Sequence, residues 1–241
     1  MTREAMDRSR LLVEALRPRL GAMSALGETA AGVGRASVME APRAPSRGGV
    51  VVLAASLVVT AITVAAAGVA TLGLDDLKVV VDDPHRVPSA LDTVNSLAGA
   101  CLVAVLAAWV ATAWWLVDLR RVAGWAAPGY RHRRSDWWAL AAWVVPIVNL
   151  WFPYQLVADS SRALGSRART FWPWWIAWLL ISTGTGFVSS PSSEEWTSPH
   201  DVEVWVTGMQ LNAALTVVGL ALWWRIVRAA TRAAEAAVAR D

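Results

Sequence analysis

Cysteine is nearly absent from this chain. Cys101 is the single one in 241 residues, which excludes an internal disulfide and a cysteine-built metal site. It falls in the middle of an apolar run, where a cysteine reads as a small packing residue. Catalytic signatures are missing as well: there is no HExxH, no phosphate-cradling Gly-Lys-Ser/Thr loop and no nucleophile elbow. His85, His132 and His200 are scattered over loops expected on different sides of a membrane, so a shared metal or proton relay is not expected. Ser182, Thr183, Thr185, Ser189 and Ser190 read as helix-packing or capping residues. Neither an enzyme nor a cofactor is indicated.

Charge is missing in a pattern that decides the class. Residues 48–74, 94–117, 171–188 and 204–224 contain no Asp, Glu, Lys, Arg or His, and each run approaches or exceeds the roughly 20 residues a helix needs to cross a bilayer. The third is the shortest and must borrow a turn from its flanks. With 56% apolar residues and a mean hydropathy of +0.41, the chain reads as an all-α, multi-pass membrane bundle of four spans. Those spans lack the intramembrane ionisable groups that proton- or sodium-coupled transport generally uses. They are rich in Ala and Gly, which suits close helix packing and a homo-oligomer.

What charge there is sits between the runs. Arg35, Arg43 and Arg47 precede the first span; Asp75, Asp76, Asp82, Asp83 and Asp92 follow it, against Lys78 and Arg86. A basic loop comes next, with Arg120, Arg121, Arg131, Arg133 and Arg134, then Arg162, Arg167 and Arg169, then an acidic loop with Glu194, Glu195, Asp201 and Glu203. Basic loops face the cytoplasm, so both termini are expected inside the plasma membrane and the two acidic loops outside. The same distribution argues against nucleic acid as a partner despite a net charge of +3, and it suggests contact between the cytoplasmic arginines and anionic lipid. Residues 1–47 read as a flexible cytoplasmic segment with a short amphipathic stretch, interrupted by Pro18. A start assigned too early would also account for them. The first strongly apolar run begins near residue 48, so it is expected to stay as an anchor and not to be cleaved as a signal. Residues 229–241 read as a cytoplasmic helical tail.

One segment is unusual. Residues 137–157 are apolar and rich in tryptophan, yet broken by Pro146, Asn149 and Pro153. Each proline removes a backbone donor, and the freed carbonyls need partners at membrane depth. Were the segment to cross, Arg162, Arg167 and Arg169 would lie outside and the acidic 189–203 loop inside, against the positive-inside rule. It is therefore expected to enter and leave on the cytoplasmic face as a re-entrant or interfacial helix, with a kinked fifth span as the alternative. Asn149 is suited to capping the second half-helix, which would start near Pro153. Gln155 and Asp159 would continue a polar face, with Asp159 in a solvated ion pair with Arg162. Trp137, Trp138, Trp143 and Trp151 read as interfacial anchors.

Two spans also end alike, at Trp114-Trp115 and at Trp223-Trp224, each followed by arginines. Two hairpins running in the same direction would result, either by duplication or because any cytoplasmic interface selects these letters.

The run Arg133-Arg134-Ser135, then Trp143-Val-Val-Pro146-Ile-Val-Asn149-Leu-Trp151 and Pro153 with Gln155 and Asp159, resembles the signature of the domain of unknown function 4328 family. The resemblance extends more loosely over residues 48–228. It implies a multi-pass membrane protein of the kind found in actinobacteria, and it supplies no activity. Ser160 and Ser161 depart from the Trp or Ile that members often carry after the Asp. The expected function is a non-enzymatic scaffold or sensor centred on the Pro146-Asn149-Pro153 element, with a small transporter or channel gated by it as the alternative.

Overall fold

A computed structural model of the chain describes residues 42–83, 85–132, 138, 152–166, 171–188 and 196–240. They form helices α1 (Ser46–Leu72), α2 (Leu74–Asp82), α3 (Ser89–Ala126), α4 (Phe152–Ala163), α5 (Phe171–Val188) and α6 (Pro199–Val238), with no strand among the described residues. By length and composition α1, α3 and α6 are able to cross a membrane. The fourth expected span, α5, is 18 residues long, about 27 Å at 1.5 Å per residue. Its first half carries Trp172, Trp174, Trp175 and Trp178, whose indoles combine an apolar body with an N–H that favours the headgroup level.

The long helices wear their apolar side chains outward. Val50, Leu57 and Val58 on α1, Leu102, Val103 and Val110 on α3, and Leu211, Val217 and Val218 on α6 are all exposed. Exposed apolar surface of this extent on soluble proteins marks a binding face; distributed over three long helices, it suits hydrocarbon as the surrounding solvent. α3 and α6 overrun their uncharged stretches, because the alanines, leucines and arginines beyond them are good helix formers. Thus α6, at 40 residues, is about 60 Å long.

α1 lies antiparallel to α3 and to α6, and two adjacent glycines allow the close approach. At Gly48 a side chain would stand 3.4 Å from Trp115 Cα, and at Gly49 it would stand 2.8 Å from Thr231 Oγ1. The Trp115 indole N–H donates to that same Thr231 hydroxyl at 3.1 Å, so α1, α3 and α6 are tied at one level. α5 runs antiparallel to α6: Trp174 stacks on Trp223, and Ile181 lies over Gly219. The α1–α3 and α5–α6 pairs are therefore two hairpins of the same sense.

Buried apolar residues gather into two cores. One holds Trp115, Leu116, Leu119 and Val122 of α3 with Leu156 and Val157 of α4, Trp175 of α5 and Ile226 of α6. Arg120, Arg121, Arg225, Arg228 and Arg232 belong to the same stretches of α3 and α6, and this is the basic end. The other core holds Ala70 of α1, Leu77 and Val80 of α2, Leu91 and Val94 of α3, and Val202 and Trp205 of α6, and this is the acidic end.

The acidic end is more ordered than the expected 75–92 loop. Residues 74–82 form α2, which buries Leu77 and Val80 and exposes Asp75 and Asp82, an amphipathic turn pattern. Gly73 makes the corner, and a Cβ there would run into the Ala90 side chain. Asp76 accepts from the Ala90 amide at 3.4 Å and the Ser89 hydroxyl at 3.3 Å, serving as a cap for α3 supplied from another helix. Lys78 pairs with Glu203 of α6 at 2.6 Å. α6 itself starts with a capping box: Ser198 Oγ accepts from the Asp201 amide, Asp201 Oδ2 accepts from the Ser198 amide at 2.8 Å, and Pro199 follows the cap.

Candidate functional site

The sequence pointed to residues 133–159. Arg133, Arg134, Trp143, Pro146, Asn149 and Trp151 lie outside the described residues; Pro153, Gln155 and Asp159 lie on α4. The two flanks of the segment are both visible. α3 delivers the chain to Tyr130 from the basic end, and α4 packs back into the basic-end core through Tyr154, Leu156, Val157 and, just beyond its last turn, Leu164. α5 then starts from that core with Phe171 and Trp174. Exit and return occur at one end of the bundle.

Local sequence suits both ends of α4. Pro153 is the second described residue of α4; a proline is tolerated in a first helical turn, where its missing N–H costs nothing. At the other end Gly165 adopts φ +74, the Gly165 amide donates to Arg162 O at 2.9 Å and the Ser166 amide to Ser161 O at 2.8 Å. This is a Schellman closure, which needs a residue free to enter the left-handed region.

Residues 153–161 are all buried, so α4 is enclosed and not amphipathic on a surface. Its polar side chains go inside with it. Asp159 pairs with Arg162 at 3.4 Å, as the spacing suggested, but its carboxylate side chain is only 2% exposed against 48% for Arg162. The expected solvated pair is instead a buried acid reached by an exposed arginine. Ser160 and Ser161, which depart from the family pattern, are fully buried; the Ser160 hydroxyl donates back to Leu156 O at 2.8 Å. Small hydroxyls at these two positions let α4 sit close to its neighbours.

A residue that the sequence reading assigned to the interface joins them. Arg120 of α3 is 4% exposed, and Arg120 and Asp159 are the two buried charged side chains among the described residues. They have opposite sign and sit on helices that pack directly against each other. A buried charge is tolerated only with compensation, and the Arg162 guanidinium at 3.4 Å supplies it for Asp159. The signal was present in the spacing: Leu116, Leu119, Arg120 and Ala123 lie on one stripe of α3 and all are buried.

Aromatic rings surround this polar set. Trp115 meets Trp223 edge-on at 5.9 Å, Trp223 stacks on Trp174 at 4.7 Å, and Trp175 stacks on Trp178 at 4.8 Å with 9° between planes. Tyr154 of α4 reaches Trp172 and Trp175 at 5.0 and 6.1 Å. The four elements are thus joined by rings. The two Trp-Trp pairs are not equivalent: Trp115 is the buried member of the first, whereas Trp223 is the buried member of the second and Trp114 is exposed. Shared letters do not occupy matching places, which favours interfacial selection over duplication.

The histidine expectation needs one correction. His85 follows α2 and His200 opens α6, so both belong to the acidic end; His132 alone follows α3 at the basic end. No cluster of three or more His, Cys, Asp or Glu suited to a metal occurs among the described residues. Cys101 lies 3.8 Å from Thr63 across the α1–α3 contact, a packing position.

A family model described as domain of unknown function (DUF4328) matches residues 80–229. The chain belongs to the DUF4328 family. The match begins within α2 and ends within α6, so the DUF4328 region takes in α3, α4, α5 and the buried Arg120 and Asp159, while α1 precedes it. Comparison with curated proteins and with solved structures gives no match.

Proposed function

We propose that this DUF4328 protein is a non-enzymatic module of the plasma membrane that scaffolds or senses at its basic, cytoplasmic end. In this reading α1, α3, α5 and α6 are four spans, both termini are cytoplasmic, and residues 137–157 dip in and return without crossing. The observation that carries the reading is the return of the chain, as the enclosed helix α4, to the same end that it leaves after α3. An element entering and leaving on one face, with a buried acid on it and a buried base on the helix packed beside it, is suited to hold a fixed cytoplasmic surface or to respond when those groups are disturbed.

Membrane-impermeant thiol labelling in intact cells tests the topology, with Cys101→Ala as background and single cysteines at His85, Gly129 and Ser166. Labelling of His85 alone is expected, with Gly129 and Ser166 reacting only after permeabilisation. Reaction at Ser166 but not Gly129 in intact cells would mean that the segment crosses, and the reading would fail. Asn149→Leu addresses the role: a packing role lowers yield and thermal stability, whereas normal yield with altered solute flux would favour a small transporter or channel.

A further inference from the structure

A groove lies away from α4, between the first turns of α1 and the last turns of α6. It encloses roughly 520 Å³ and is lined by Gly49, Val50, Leu53, Ala54 and Leu57 on one side and Trp224, Val227, Arg228, Thr231 and Arg232 on the other, with Ser46 and Glu235 closing one end. Because α1 and α6 are antiparallel, the groove runs for about 16 Å along both helices at 1.5 Å per residue. Its character changes along that length. The end at Leu57 is apolar, with Leu57 itself 52% exposed; the end toward Ser46 carries the charged groups.

Those groups are set for an anion. Arg228 is held over the Trp224 ring at 5.0 Å, a cation–π contact that fixes a guanidinium at the mouth. Arg232 stands one helical turn further on the same face, where two like charges disfavour each other unless an anion is shared between them. Glu235, the one acid at the groove, accepts from Ser46 Oγ at 2.6 Å. Neither Arg228 nor Arg232 makes an ion pair among the described residues.

We propose that this groove is a binding site for one anionic phospholipid, its phosphodiester between Arg228 and Arg232 and an acyl chain laid along Leu53, Ala54 and Leu57. The apolar floor takes the chain, the paired guanidinium groups take the phosphate in bidentate fashion, and Trp224 marks the level between them. The inference rests on the basic end lying at the headgroup level, but it is tested separately from the topology.

Native mass spectrometry of the full chain in detergent, titrated with dioleoyl phosphatidylglycerol or dioleoyl phosphatidylcholine, reads the site. One tight phosphatidylglycerol is expected, with phosphatidylcholine at least tenfold weaker. Arg228→Gln with Arg232→Gln should weaken phosphatidylglycerol by about 25-fold, at about fivefold for each basic residue near an anionic lipid. Arg121→Gln with Arg225→Gln removes equal charge from the same end outside the groove and should change binding less than threefold. Ala54→Trp fills the floor and should displace the lipid with both arginines intact. Millimolar inorganic phosphate should not compete. Equal binding of the two lipids, equal effects of the two double variants, or full competition by phosphate overturns the proposal. Failure here with His85 labelled and Ser166 protected would leave the topology standing and remove only the lipid site.

Discussion

Gly49 shows how little room the bundle has where three helices meet. A methyl added there falls 2.8 Å from Thr231 Oγ1, and that hydroxyl is already engaged by Trp115. Gly49→Ala is expected to cost about 1–3 kcal/mol as overpacking, read as a lower midpoint of thermal unfolding in detergent. Adding Thr231→Ala should restore part of the loss, since it removes the obstructing atom. Trp115→Phe strips the donor and also shrinks a fully buried ring, so the expected loss exceeds the roughly 1 kcal/mol of the hydrogen bond alone. For the buried charges, if Arg120 and Asp159 compensate each other, Asp159→Leu alone should cost about 3–5 kcal/mol. Arg120→Leu/Asp159→Leu together should cost less than the sum of the single changes, and additivity would show that the two groups do not sense each other. At this scale the sequence was partly legible. Cys101 as a packing residue and the Asp159–Arg162 spacing could be read directly; the burial of Arg120 could not, because adjacent arginines at the end of an apolar run look alike until one is seen to share a stripe with Leu116 and Ala123.

Helices declare themselves through runs and caps: the second and fourth uncharged runs are the interior of longer helices, the third coincides with α5, and the first ends two residues beyond α1. Their ends were harder to place. Ser198-Pro199-His200-Asp201 contains the complete start signal of α6, and Ser198→Ala should raise amide exchange in the first turn of α6, with a cost of about 1 kcal/mol, while exchange around Trp223 stays unchanged. If exchange rises along the whole helix, the cap is not acting locally. α2 escaped notice because its aspartates dominate a stretch whose leucine and valines recur at helical spacing. Gly73→Val should loosen the corner between α1 and α2 by driving a side chain into Ala90, detected as increased protease cutting after Leu74 with the basic-end core intact. α4 could be anticipated only as a half-helix from near Pro153; its enclosure depends on neighbours from three other helices, which no local pattern records.

For the whole molecule, charge placement was the more informative property. Alternation of basic and acidic loops assigned residues to two ends, and the two cores correspond to those ends. The span count was less legible, since α5 owes much of its bulk to tryptophan and lies near the shortest length that crosses a bilayer. The family membership rests on the region from α2 to α6, so the part of the chain with the two buried charges and the ring cluster is also the part that DUF4328 defines.

The stacked indoles have an optical consequence. Trp175 and Trp178, nearly parallel at 4.8 Å, and Trp174 and Trp223, at 4.7 Å, are close enough for their excited states to couple, so the native bundle should show a strong near-ultraviolet circular dichroism signal and quenched emission. Because one of these stacks joins α5 to α6, its spectrum registers the closure of the second hairpin and not merely helix content. Trp178→Phe and Trp223→Phe should each remove a separable part of it, giving the chain a built-in, label-free reporter of assembly at its basic end.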